Sequence, residues 1–179
     1  MQKQIDSTRA DNQTKMDGLN KQIATLKSST TDSTADWKTY TNATVGFSIK
    51  YPPTDTVSTA SSYFEDDGVF IDSTSTGGYE QPHLISIEAE HSSLSLDAYI
   101  AKATKDASFT GATKNTFVGL SAYEGLDNGM TTLYGILVKN GANIFHISAD
   151  TGNLDGLAKN KAALTTVQNQ ILSTFQFAK

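Results

Sequence analysis

The strongest constraint on this chain is a pair of turn signals, Asp127-Asn128-Gly129 and Asn140-Gly141, set between segments that alternate apolar and polar residues. Asn-Gly and Asp-Gly pairs tolerate the positive backbone angles that tight hairpins require. The flanking segments are Leu120–Tyr123, Met130–Lys139 and Asn143–Ala149. In the last of these Phe145, Ile147 and Ala149 fall on one face. Leu120–Ala149 is therefore predicted to be an antiparallel meander. Phe109–Val118 is a further strand candidate, joined to it through Gly119.

The rest of the domain is predicted from period. Val45–Tyr51 alternates, with Val45, Phe47 and Ile49 on one side, and Pro52-Pro53 ends the run. A Thr/Ser-rich stretch follows, then a turn at Glu65-Asp66-Asp67-Gly68 leading into Val69-Phe70-Ile71. His83–Glu90 alternates again, with Ile85, Ile87 and Ala89 facing inward. Over Leu94–Thr104 the period changes to helical: Leu96, Tyr99, Ile100 and Ala103 share a face, Ser93 or Ser95 is a candidate cap, and Asp97 lies in the first turn. Residues 154–172 are predicted to form one closing helix capped by Asp155, with Leu157, Leu164, Val167, Ile171 and Leu172 as its apolar stripe. Thr174–Phe177 reads as a last short strand. The expected class is α+β, an antiparallel sheet packed between helices and preceded by an N-terminal helix.

That first helix is expected within residues 1–27, where Ile5, Met16, Leu19, Ile23 and Leu26 fall near positions a and d of a heptad. It reads as a stalk or weak coiled coil able to self-associate through residues 5–26. Residues 28–36, SSTTDSTAD, form a polar linker without an apolar anchor, and the globular domain is expected over residues 37–179.

Composition excludes several function classes. The net charge of -5 and the lack of any basic run leave no positive footprint for nucleic acid. There is no Cys, so neither disulfides, thiolate chemistry nor a Cys-type zinc site is available. No apolar run of about 20 residues is present. The chain opens in a polar stretch, MQKQIDSTRADNQ, with no signal-peptide core, so an exported natural protein is expected to carry its leader or anchor upstream. Charged residues make up only 18%, with Ser, Thr, Asn and Gln supplying the polarity, which suits a secreted or surface-exposed protein.

A family resemblance adds to this reading. Asp36-Trp37-Lys38-Thr39-Tyr40-Thr41-Asn42 followed by Val45-Gly46-Phe47-Ser48-Ile49-Lys50-Tyr51-Pro52 resembles the opening of small PsbP-like domains. Gly119–Gly125 resembles the family's mid-domain strand and Gly135–Ser148 its central hairpin. The run Ile171-Leu172-Ser173-Thr174-Phe175-Gln176-Phe177 resembles its C-terminal signature. The resemblance covers roughly residues 36–178. It implies an α/β/α sandwich, shared by a photosystem extrinsic subunit, related lipoproteins, a Ran-binding relative and bacterial envelope proteins. It also implies assembly or binding roles rather than catalysis.

Candidate chemistry is sparse. His83 and His91 lie at opposite ends of one predicted strand, and all three histidines, His146 included, are expected at the surface. Asp150-Thr151-Gly152 spells the aspartic-protease triplet but occurs once, and that chemistry needs two carboxylates sharing a proton. As a calcium loop, Asp150–Gly156 lacks the EF-hand ligands, with Gly152, Leu154 and Lys161 at ligand positions; a looser site could use Asp150 and Asp155. Glu65, Asp66 and Asp67 form the densest acidic run and are the other weak candidates for calcium. No G-x-S-x-G elbow or phosphate loop occurs. Asn12-Gln13-Thr14 and Asn42-Ala43-Thr44 match the glycosylation sequon. Trp37 and Tyr40 either pack the linker onto the domain or belong to a partner-binding patch.

The leading expectation is a non-enzymatic, extracytoplasmic interaction or structural module. It would be displayed on a membrane-anchored stalk and bind a protein or cell-envelope component without a cofactor. A small-ligand or metal-dependent domain, either a weak hydrolase or a calcium-binding subunit, and an appendage subunit with a truncated N-terminal helix, are the alternatives.

Overall fold

A computed structural model describes residues 15–16, 34–60, 68–73, 85–129, 131–152 and 154–178. The chain divides into two compact units, Met1–Asp36 and Trp37–Lys179. In the first, Lys15 and Met16 are helical. The remainder of the expected stalk helix, and residues 28–33 of the linker, lie outside the described residues.

The second unit contains ten strands and three helices among the described residues. In chain order they are β1 (Lys38–Asn42), β2 (Phe47–Tyr51), β3 (Thr56–Ala60), β4 (Gly68–Asp72), β5 (Ile85–His91), α1 (Leu96–Lys105), β6 (Phe109–Phe117), β7 (Leu120–Asn128), β8 (Thr132–Asn140), β9 (Asn143–Ala149), α2 (Leu157–Ala163), α3 (Thr166–Ser173) and β10 (Gln176–Phe177). They build a seven-stranded sheet of order β3-β4-β5-β9-β8-β7-β6 and a three-stranded sheet of order β1-β2-β10. Every neighbouring pair is antiparallel.

The meander β7–β8–β9 is present with the second turn at Gly141, but its first turn differs from the expectation. Asp127 and Asn128 belong to β7, which runs five residues past Tyr123 and stays paired until Asn128 meets Thr132. Asn128 is held there by its own side chain, which donates to the Ala107 carbonyl at 3.1 Å and to Thr110 Oγ1 at 2.9 Å. At the second turn Asn140 closes the ladder opposite Asn143, and Gly141 (φ +61°) with Ala142 makes the loop. The β6–β7 loop is the tighter case. Val118 (φ +44°) and Gly119 (φ +84°) both take positive angles, the type I′ arrangement, with a β-branched residue where Asn is usual.

β1 and β3 were not expected as strands. They read KTYTN and TVSTA, and each lies at an open edge of its sheet, where one flank needs no apolar partner.

The single closing helix is in fact two. Leu164 is extended (φ -53°, ψ 122°), and Thr165 restarts the helix with a capping box. Thr165 Oγ1 accepts from Gln168 N at 3.1 Å, and Gln168 Oε1 accepts from Thr165 N at 2.9 Å. Asp155 is not the cap of α2; Gly156 (φ +85°) holds that position without a side-chain bond. The expected stripe is correspondingly uneven. Ile171 and Leu172 are buried and Val167 is exposed, while the polar Asn160 and Gln168 are buried.

Strand alternation sends side chains to two cores. On one face Ile85, Ile87, Val138, Phe145 and Ile147 pack with Ile171, Leu172 and Phe175 and with Phe47 and Ile49 of the small sheet. On the other, Tyr123, Leu137 and Ile144 pack with Phe109 and with Tyr99, Ile100 and Ala103 of α1. Ser95 caps α1 by accepting from Ala98 N at 3.2 Å. Gly125 and Gly135, register partners in β7 and β8, leave a slot filled by the Phe109 ring.

Candidate functional site

The richest polar cluster lies where β5 and β9 meet α1. Alternation places Ser86, Glu88 and Glu90 of β5 on the face opposite Ile85, Ile87 and Ala89, and the register sets Glu88 beside His146 of β9. Helical spacing brings Tyr99 down onto this face, its ring edge-on to His146 with centroids 5.5 Å apart. Tyr99 Oη donates to Glu90 Oε2 at 2.5 Å and lies 2.8 Å from His146 Nε2. A phenol has one proton, and the carboxylate can only accept it. His146 must therefore donate through Nε2–H, giving a directed chain His146→Tyr99→Glu90.

Burial shapes both titrating partners. Desolvation holds the His146 pKa below the usual imidazole value, with the charges of Asp127 and Glu90 offsetting it only in part. Desolvation, followed by the bond to Glu90 and its charge, pushes the Tyr99 phenol far above its ordinary range. Beside them Ser148 Oγ donates to Asp127 Oδ2 at 2.5 Å. His146 is thus not the surface histidine expected, because α1 covers the face of β9 that alternation alone marks as polar. His91 is exposed at the end of β5, opposite Asn143, and His83 lies outside the described residues.

On the other face Glu124 is nearly buried and fully engaged. Lys161 Nζ of α2 donates to its Oε2 at 2.5 Å, and Asn115 Nδ2 donates to its Oε1. The Tyr134 hydroxyl also bonds to it, and burial with that contact drives the Tyr134 pKa far up. This arrangement pins α2 to the sheet.

The Asp150-Thr151-Gly152 triplet is a structural turn. Asp150 Oδ1 accepts from Gly152 N at 3.0 Å, and the Asp150 carbonyl accepts from Gln168 Nε2 at 2.5 Å. Thr151 Oγ1 donates to Asn160 Oδ1 at 2.5 Å, while Asn160 Nδ2 donates to the carbonyls of Leu154 and Gly156. These bonds account for the burial of Asn160 and Gln168. Asp155 is exposed. Glu65, Asp66 and Asp67 lie outside the described residues. Among the described residues no three His, Asp or Glu come close enough together to hold a metal.

Trp37 and Tyr40 are partly buried against the larger core, and the Tyr40 ring lies 6.0 Å from Phe47. Asn42 of the second sequon is buried, its Oδ1 accepting from Thr44 N at 3.0 Å and Val45 N at 3.2 Å. Asn12 of the first sequon is outside the described residues.

The sequence matches no family model and no curated protein. Among solved structures, the solution structure of cyanobacterial PsbP (CyanoP) from Synechocystis sp. PCC 6803 is similar, with a TM-score of 0.51 at 12% identity. The match covers 79% of this chain and 92% of that one. At such identity the likeness is one of fold, and the domain has a PsbP-like fold. No helix among the described residues is long and apolar enough to cross a membrane.

Proposed function

We propose that this protein is a non-enzymatic interaction module of the cell envelope, displayed outside the cytoplasm on an N-terminal stalk anchored in a membrane. The observation that carries the reading is the way its interior polar groups are used. Glu124, Asn160, Gln168, Tyr99 and Ser148 all bond within the fold and join helices or turns to the sheet. A catalytic group must instead be presented to a substrate. The PsbP-like fold is compatible with binding roles but does not determine one. We read the layering of α1, the large sheet, and α2 with α3 as the helix–sheet–helix sandwich implied by the resemblance. Crosslinking of the full-length protein in cells, followed by mass spectrometry, tests the reading. Crosslinks from the globular domain to one envelope protein are expected. Self-crosslinks alone would turn the reading toward an appendage subunit. A hydrolase activity of the purified protein, abolished by a single substitution, would defeat it.

A further inference from the structure

Asp55 differs from the other buried or half-buried carboxylates whose partners are known among the described residues. Glu124 has three hydrogen-bonding partners, and the half-buried Asp127 and Glu90 each receive a hydroxyl proton. Asp55 is 7% exposed, and only its Oδ1 is engaged, by Thr54 Oγ1 at 3.2 Å. Its Oδ2 is the one buried side-chain polar atom among the described residues with no hydrogen-bond partner.

The backbone forces this placement. Asp55 N donates to the Pro52 carbonyl at 3.0 Å, closing the turn through Pro53-Thr54 and delivering Asp55 to the start of β3. The next residue, Thr56, pairs with Asp72 at the end of β4, which puts a second carboxylate at the same end of the hairpin. Desolvation, reinforced by the Asp72 charge, raises the Asp55 pKa. Lys38, nearby in the β1–β2 ladder, gives its ammonium to the Pro53 carbonyl at 2.8 Å.

We infer that Asp55 and Asp72, at the Pro52 end of the β3–β4 hairpin, hold a hard divalent cation of the calcium–magnesium class. An unmatched buried oxygen with a second carboxylate at the same end of the hairpin is an arrangement such an ion completes. With two protein carboxylates, water and backbone oxygens fill the other positions, and dissociation constants of about 10⁻⁴–10⁻³ M are expected. The site uses none of the acidic run Glu65-Asp66-Asp67, which lies outside the described residues.

The test is thermal unfolding of the full chain in calcium or magnesium chloride against potassium chloride of equal ionic strength. A saturable rise of about 3 °C or more is expected with either or both divalent salts at several times the dissociation constant. Asp55→Asn and Asp72→Asn should each abolish it, while the triple variant Glu65→Gln, Asp66→Asn, Asp67→Asn keeps it. Calorimetric titration of the wild type with the same salts gives a readout independent of whether the variants fold. No ion-specific rise and no saturable heat would overturn the inference. So would a rise that survives Asp55→Asn, or one lost only in the triple variant.

Discussion

Replacing Gly125 with Ala tests the packing of α1 on the sheet. A methyl at position 125 would stand 2.2 Å from Phe109 Cε1 and 2.7 Å from Cζ. Ordinary carbon contacts begin near 3.5 Å, so the ring must retreat by more than about 1 Å. It has little room to do so. The same ring lies within 2.7 Å of a Cβ built on Gly135, and Tyr99, Ile100 and Ala103 close the cluster. The expected loss is about 3 kcal/mol, at the upper end for overpacking. Phe109→Ala alone should cost about 3–5 kcal/mol by opening a cavity. In that background the clash is gone, the new methyl fills vacated space, and Gly→Ala in a strand interior gains roughly 0.5–1 kcal/mol. Gly125→Ala should therefore change sign, from destabilising in the wild type to neutral or stabilising in Phe109→Ala. Urea unfolding of the four proteins measures the cycle. A wild-type effect below about 0.5 kcal/mol, or additive losses, would refute the reasoning.

Three further outcomes follow from other contacts. Val118→Asn should stabilise by about 1 kcal/mol, read as a higher urea midpoint, because Asn tolerates the left-handed angle that strains a β-branched residue. Thr165→Ala should cost about 1 kcal/mol by removing the cap that restarts α3, with a drop in melting temperature as the readout. His146 is held neutral, so the unfolded chain takes up its proton first. Stability should fall as pH drops below the unfolded value near 6.5, until the lowered folded pKa is passed. Urea midpoints at successive pH values should show a shallower decline in His146→Gln than in the wild type, and equal slopes would contradict the assignment.

What could be read directly from residues was whatever local chemistry enforces. Alternation and Asn-Gly pairing suffice for β8 and β9, and Ser95 with the spacing of Tyr99, Ile100 and Ala103 suffices for α1. β1 and β3 escaped because edge strands carry no obligatory apolar period. The break at Leu164 was visible in principle: Thr165-Thr166-Val167-Gln168 is a capping-box spelling inside a helical stripe. Leu157, Leu164 and Ile171 nevertheless keep helical spacing across it. The polar cluster around His146 could not be read, because its burial depends on which face α1 covers, a tertiary choice. Asp55 is hidden for a similar reason, since only the Thr56–Asp72 pairing shows that both carboxylates lie at one end of the hairpin. Of the acidic candidates that sequence did suggest, Asp150 is occupied with its own turn.

The small sheet has a consequence for how the domain is made. β2 is completed by β10, whose Gln176 and Phe177 pair with Ser48 and Phe47, and Thr174 Oγ1 accepts from Lys50 N across 124 positions. Phe47 stacks on Phe175 at 5.3 Å. During synthesis, this seam has no second half until nearly the whole domain has emerged. Folding that waits for such distant partners is slow and leaves apolar surface uncovered in the interval. A nascent chain stalled before Phe175 should remain protease-sensitive and bound to holding chaperones, and release of the last few residues should act as the trigger for closure.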